Sequence, residues 1–177
     1  MAELIGGEER VPVVLTAPDP DWPQRYARHA RQIRTALGDR VLLMEHIGST
    51  SVPGLVAKPI IDVVLGVADP DREADWLPDL ERAGYALRVR EPEQDGHRML
   101  RTPARDLHLH VFAPASVEVR RYLLLRDLLR SDPAARDRYA AVKTDLATRT
   151  WPTMNHYADA KSEVVEALIA LARRRGL

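Results

Sequence analysis

Apolar residues return along this chain with two different periods, and the switch between them divides it. From Trp22 the apolar positions Tyr26, Ile33 and Leu37 recur at near-helical spacing until Gly38, which predicts an amphipathic helix with Asp19 or Asp21 as its cap. Residues 41–47 and 59–67 are nearly continuous apolar runs, as strands buried on both faces are. Leu107, Leu109 and Val111 alternate with His108 and His110, the period of two that places the histidines on one side of a strand. Residues 85–90 and 97–101 predict two further strands, joined by an acidic turn over 91–96. Val11 to Thr16 predicts a short strand at an edge, where its proline is tolerated.

Helical signals occupy the rest. Asp69 to Glu73 opens a helix predicted to run through Trp76, Leu77, Leu80 and Ala83 to Gly84, a residue type that ends helices in the left-handed conformation. After Phe112 the character becomes helical throughout. One helix is capped at Ser116, a second begins at Asp132 and Pro133, and a third is predicted from about Asn155 to Arg174. Length and apolar content predict one compact α/β unit across residues 1–177, with strands in its first two thirds and a helical C-terminal third.

Charge narrows the partners. The 26 basic and 26 acidic side chains cancel, so no general positive field exists to hold a polynucleotide backbone, and one phenylalanine, five tyrosines and three tryptophans give little to stack bases on. Nucleic acid is therefore excluded as the expected partner. With no cysteine there is neither a disulfide framework nor a thiolate metal site. No apolar run is long enough to span a bilayer and no signal peptide is evident, so a cytoplasmic, membrane-free protein is the expectation. The sequence is silent on oligomeric state.

Chemistry concentrates between the two central runs. Gly48, Ser49, Thr50 and Ser51 form a small, hydroxyl-rich turn, suited either to cradling phosphate on backbone N–H groups or simply to satisfying its own backbone. Asp62 follows inside an apolar strand, where a carboxylate needs a partner: a metal, a ligand, or a cation such as Arg126. His108 and His110 are candidate metal ligands or phosphate donors, and His46 is a secondary metal candidate. Lys58 could reach a phosphate or remain a surface lysine. Lys143 and Lys161 each lie four residues after a tyrosine, so each lysine shares a helix face with a ring, as cladding or as a phosphate contact. Arg126, followed by Asp127, fits an ion pair or a bidentate clamp.

The stretch from His46 to Asp62, with its Gly-Ser-Thr-Ser turn and the following Val52-Pro53-Gly54-Leu55 and Ala57-Lys58-Pro59, resembles the signature of the GrpB family, a branch of the nucleotidyltransferase superfamily. Trp22, Gly84-Tyr85, the 107–112 strand, Arg126-Asp127 and the two Tyr-x-x-x-Lys segments resemble its later blocks in order. The resemblance implies a single α+β domain over residues 1–177, a nucleotidyltransferase-like mixed sheet packed with helices, and a site where the turn meets Asp62. It further implies a nucleotide or other phosphorylated ligand, a divalent metal (Mg or Mn, with Zn the alternative), and catalytic roles for Asp62 and His110 in nucleotidyl transfer. One departure stands out: where the superfamily places its second acid on the strand, this chain has Val64. Imidazoles from His108 and His110 could supply the missing ligands, which would favour Zn, Mn, Fe or Ni over Mg. The alternatives are a non-catalytic module that binds a nucleotide or coenzyme, and a His/Asp metal-dependent hydrolase.

Overall fold

The computed structural model describes residues 3–7 and 13–177. Its chain order is β1 (Glu3–Leu4), α1 (Trp22–Leu37), β2 (Leu43–Ile47), β3 (Ile61–Gly66), α2 (Leu77–Arg82), β4 (Ala86–Glu91), β5 (His97–Arg101), β6 (Leu107–Phe112), α3 (Val117–Ser131), α4 (Pro133–Ala147), α5 (Met154–Asp159) and α6 (Ser162–Arg174). Short 3₁₀ turns occupy Gly38–Arg40, Ser49–Ser51 and Glu73–Asp75. The strands make one sheet in the order β1-β4-β5-β6-β3-β2. Among the described residues only the β3–β6 pair is parallel, so the sheet is mixed.

The β3–β6 pair decides where the chemistry lies. Asp62 stands opposite His108 and Val64 opposite His110, while Val63 and Leu65 pair with Leu109 and Val111. Because side chains alternate across a strand, one face collects the two apolar rows and the other collects the polar groups. The apolar face packs on Trp22, Ala30, Ile33 and Leu37 of α1 and on Leu77 and Leu80 of α2. Each fully buried leucine or isoleucine there contributes about 1.5–3 kcal/mol over leaving it in water. On the opposite face, Ile47, Val64 and Phe112 pack against Val119 of α3. A third apolar cluster joins α3, α4 and α6 to Val52 and Leu55 of the loop before β3. That loop is thereby pinned to the helical layer.

Three expected elements differ. Residues 11 and 12 of the expected first strand lie outside the described residues, residues 13–15 are not strand, and Thr16 makes only an isolated antiparallel bridge to Ala57. The edge strand is instead Glu3–Leu4, against β4. The expected helix over 69–84 is confined to α2, preceded by turns. Pro78 sits in its first turn, where the missing N–H costs nothing, whereas a helix running through from residue 69 would have lost a hydrogen bond there. The expected 155–174 helix is two helices, broken at Ala160 and Lys161.

Candidate functional site

A cavity of about 490 Å³ opens between the polar face of the sheet and α3 to α6. That is within the usual range for a small-molecule pocket, about 300–1,000 Å³. Its sheet wall carries Gly48, Ser49, Asp62, His108 and His110, and its helical wall carries Tyr122, Arg126, Tyr139, Lys143, Tyr157 and Lys161. Lys58 reaches it from the loop before β3.

Backbone geometry puts the turn hard against Asp62. Gly48 has φ +68°, which L-residues with a side chain rarely adopt, and a Cβ there would stand 2.4 Å from the Asp62 Oδ2. Glycine therefore serves both the turn and the close approach. Ser51 donates to the Gly48 carbonyl at 2.6 Å. The Thr50 hydroxyl donates to the Ile60 carbonyl at 3.2 Å, so its oxygen accepts from His46 Nε2 at 3.0 Å. Both hydroxyls are engaged in holding the turn, and Ser51 does not line the cavity. Ser49 does, and its Oγ accepts from the Lys143 ammonium at 2.8 Å.

Asp62 Oδ1 lies 3.3 Å from His108 Nδ1 and 3.8 Å from His110 Nε2. Burial alone would raise its carboxyl, but the two imidazoles outweigh that and hold it well below the usual carboxylate range. One donor atom from each of the three residues lies within 4.8 Å of the others, so they can converge on one cation. A single carboxylate with two imidazoles suits Zn, Mn, Fe or Ni better than Mg, which favours an all-oxygen shell. His46 is not part of this group. It pairs in register with Val63, facing α1, where its ring stacks on Tyr26 at 4.8 Å and burial draws its pKa down to about 4. It buttresses the turn from behind.

The basic residues divide in two. Arg126 is neutralised: its Nη1 donates to Glu45 at 2.8 Å and to the His46 carbonyl, and its Nε to Asp127 at 2.7 Å. Asp62 therefore does not depend on it. The lysines differ. No carboxylate lies within salt-bridge distance of Lys58, Lys143 or Lys161 among the described residues. Lys143 is 2% exposed and donates to Ser49 and to the Val56 carbonyl, both neutral. Burial and the Lys161 ammonium draw its pKa down to about 7, and burial and Lys58 draw Lys161 to about 8. Lys58 is lowered in the same way by burial. Lys161 lies 4.4 Å and Lys58 5.6 Å from the Tyr157 ring centroid, and Lys143 lies 5.1 Å from that of Tyr139. The tyrosine rings orient the ammoniums toward a shared space rather than clad the outer surface.

Behind His110, outside the cavity lining, lies a pair that the sequence did not single out. His97 of β5 bonds to His110 through Nε2, at 3.0 Å, and to Glu91 of β4 through Nδ1, at 2.7 Å. Burial, and then the charge of His110, hold its pKa at about 4. Strand parity could have placed His97 on a face with Met99, but which strand it would meet depended on the sheet order.

The chain as a whole has relatives. The GrpB protein family model matches residues 12–170. This chain belongs to the GrpB family. It is 51% identical to a UPF0157 protein of Streptomyces coelicolor, over 94% of this chain and 87% of that one. A UPF0157 protein of Halalkalibacterium halodurans is 48% identical over 90% of this chain and 82% of its own. The crystal structure of conserved protein GrpB from Enterococcus faecalis superposes with a TM-score of 0.79 at 30% identity, covering 92% of this chain and 98% of that one. The GrpB-type, nucleotidyltransferase-like fold follows. A dephospho-CoA kinase of Mycolicibacterium paratuberculosis is 29% identical over 86% of this chain, which spans 44% of that protein.

Proposed function

We infer that this GrpB-family protein binds a phosphorylated small molecule, of the nucleotide or coenzyme class, in the cavity between its sheet and helices. The observation that carries the reading is the convergence of Lys58, Lys143 and Lys161 with no opposing carboxylate at ion-pair distance among the described residues. Three ammoniums that repel one another, Lys143 buried and Lys58 and Lys161 half-buried, are costly in the free protein, and an anion between them relieves both the repulsion and the lost hydration. Ser49 and the backbone of the turn at Gly48 add neutral donors at the sheet end. Asp62, His108 and His110 are placed to hold one divalent cation beside the phosphate. A cation there would supply positive charge to phosphate oxygens.

The residues support binding more than two-cation nucleotidyl transfer. Val64, at the position of the superfamily's second acid, is completely buried with Phe112, Ile47 and Val119 and lies outside the cavity lining. The match to part of a dephospho-CoA kinase favours testing coenzyme precursors first. The test is thermal unfolding with ATP or dephospho-CoA, each with and without Mn or Zn. A ligand at 100 times its Kd stabilises the native state by about 2.7 kcal/mol, so a clear rise in midpoint is expected. No rise with either compound at millimolar concentration overturns the reading.

A further inference from the structure

We propose that the ligand of this cavity is a phosphate ester of an aliphatic chain, with the chain lying along an apolar wall built by α3 and α6. This rests on the phosphate reading above and adds what the rest of the ligand is. Val165 and Ile169 line the cavity one and two turns beyond Lys161, which stands at the start of α6. At a rise of 1.5 Å per residue, that stripe carries the wall about 12 Å away from the Lys161 backbone. Leu125 and Leu129, also one turn apart, form the matching stripe on α3. Both stripes belong to the apolar cluster that joins these helices. Leu129 and Ile169 are buried, but Leu125 and Val165 are half-exposed, so aliphatic surface faces the cavity beside the ammoniums. Covering that surface with another apolar group is favourable, whereas laying a base or ribose on it would strip water from polar atoms and offer them no partner.

The groups that could read a nucleobase are absent or engaged. No asparagine or glutamine lines the cavity among the described residues. The Arg126 guanidinium is held by Glu45 and Asp127, and that of Arg121 by Glu118 and Glu166. Tyr139 and Tyr157 are buried with lysine ammoniums over their rings, and Tyr122 packs against the rings of His110 and Phe112. A base is held by stacking and by hydrogen bonds to its edge, and this cavity offers little of either. Its charged and apolar parts divide the ligand instead: Lys58, Lys143 and Lys161 meet the phosphate, and the α3–α6 wall meets the chain.

Calorimetric titration with inorganic phosphate and with methyl, ethyl, propyl and butyl phosphate, each with and without Mn, tests the division. Affinity should rise about fourfold per added methylene, as expected for burying one CH₂. The monophosphates of adenosine, guanosine, cytidine and uridine should bind no tighter than methyl phosphate and should not differ among themselves. In Leu125→Asn the gain with chain length should flatten while inorganic phosphate binds as in wild type. In Lys161→Met phosphate and all its esters should weaken together, with the gain per methylene kept. Should Leu125→Asn not fold, Val165→Thr, which keeps the shape of a half-exposed side chain, takes its place. Flat affinity across the alkyl series in a protein that binds inorganic phosphate overturns the proposal and leaves the phosphate reading standing, as does a nucleoside monophosphate that binds tighter than butyl phosphate. If neither phosphate nor any ester binds, the phosphate reading itself fails and the proposal falls with it.

Discussion

Asp62 has no cationic partner that the fold requires, and this sets what its loss should do. Breaking a truly buried pair costs about 3–5 kcal/mol, because one charge is left stranded. Asp62 is instead 28% exposed on its side chain and faced by two imidazoles rather than by a buried guanidinium. Asp62→Asn should therefore unfold in urea at nearly the wild-type midpoint while divalent-cation binding falls at least tenfold, about 1.4 kcal/mol. A large stability loss would show a structural role instead. Lys143 makes the opposite case, a buried charge that the free protein bears at a cost. Its native pKa, about 7, lies below the ordinary 10.5, so between those values the unfolded chain holds more protons than the native one. The stability of the ligand-free protein should thus rise as pH increases from 7 toward 10. In Lys143→Met that rise should be shallower, and affinity for a phosphorylated ligand should fall about tenfold. Denaturation between pH 6.5 and 9.5 reads the slope, and an unchanged slope would count against Lys143 as its source.

Among the elements, β3 carries two opposed demands on alternate residues. Val63 and Leu65 are sealed against α1 and α2, and Asp62 faces the cavity, but Val64 on Asp62's own face is covered by α3. The cavity ends before it. Restoring an acid there would not rebuild a two-cation site: Val64→Asp would place a carboxylate among Ile47, Phe112 and Val119 with no cation designed to meet it. The expected result is loss of at least 3 kcal/mol of stability, or failure to fold, with no gain in cation affinity. A folded variant with tighter Mn binding would show that α3 yields to open the cavity. The break between α5 and α6 has a comparable role, since it sets Tyr157 and Lys161 together at the cavity wall.

At the scale of the whole molecule, charge is balanced overall and unbalanced locally. The 26 basic and 26 acidic groups balance, and many meet in surface pairs such as Arg25–Asp19 and Arg40–Asp79, while the three lysines of the cavity have no carboxylate at ion-pair distance among the described residues. An enclosed group of ammoniums can hold one or two phosphates but cannot track a polynucleotide backbone. No mobility shift of a 20-base-pair duplex is therefore expected at 150 mM salt, under conditions where a mononucleotide raises the unfolding midpoint. A shift that weakens steeply with salt would reveal a basic strip outside the cavity. No helix among the described residues is long and apolar enough to cross a membrane.

Local patterning settled much of this protein. The period-two strand at 107–112, the helix from Trp22 and the glycine-led turn before Asp62 were legible because each depends on neighbours a few residues away. Family membership was legible for the same reason, through a continuous run from His46 to Asp62. Sheet order was not. That β6 lies parallel beside β3, bringing His108 opposite Asp62, is decided by long-range pairing that no local period encodes. The same holds for His46, whose parity was clear but whose face belongs to α1, and for Arg126 of α3, whose charge is met by Glu45 of β2. Glu91 looked like part of an acidic turn and His97 like the start of the next strand, and they became a row behind His110 only when three strands aligned. Side-chain periodicity fixes which residues share a face of one element; which faces meet, and therefore which charges are paired and which are left for a ligand, is set by packing across the whole chain.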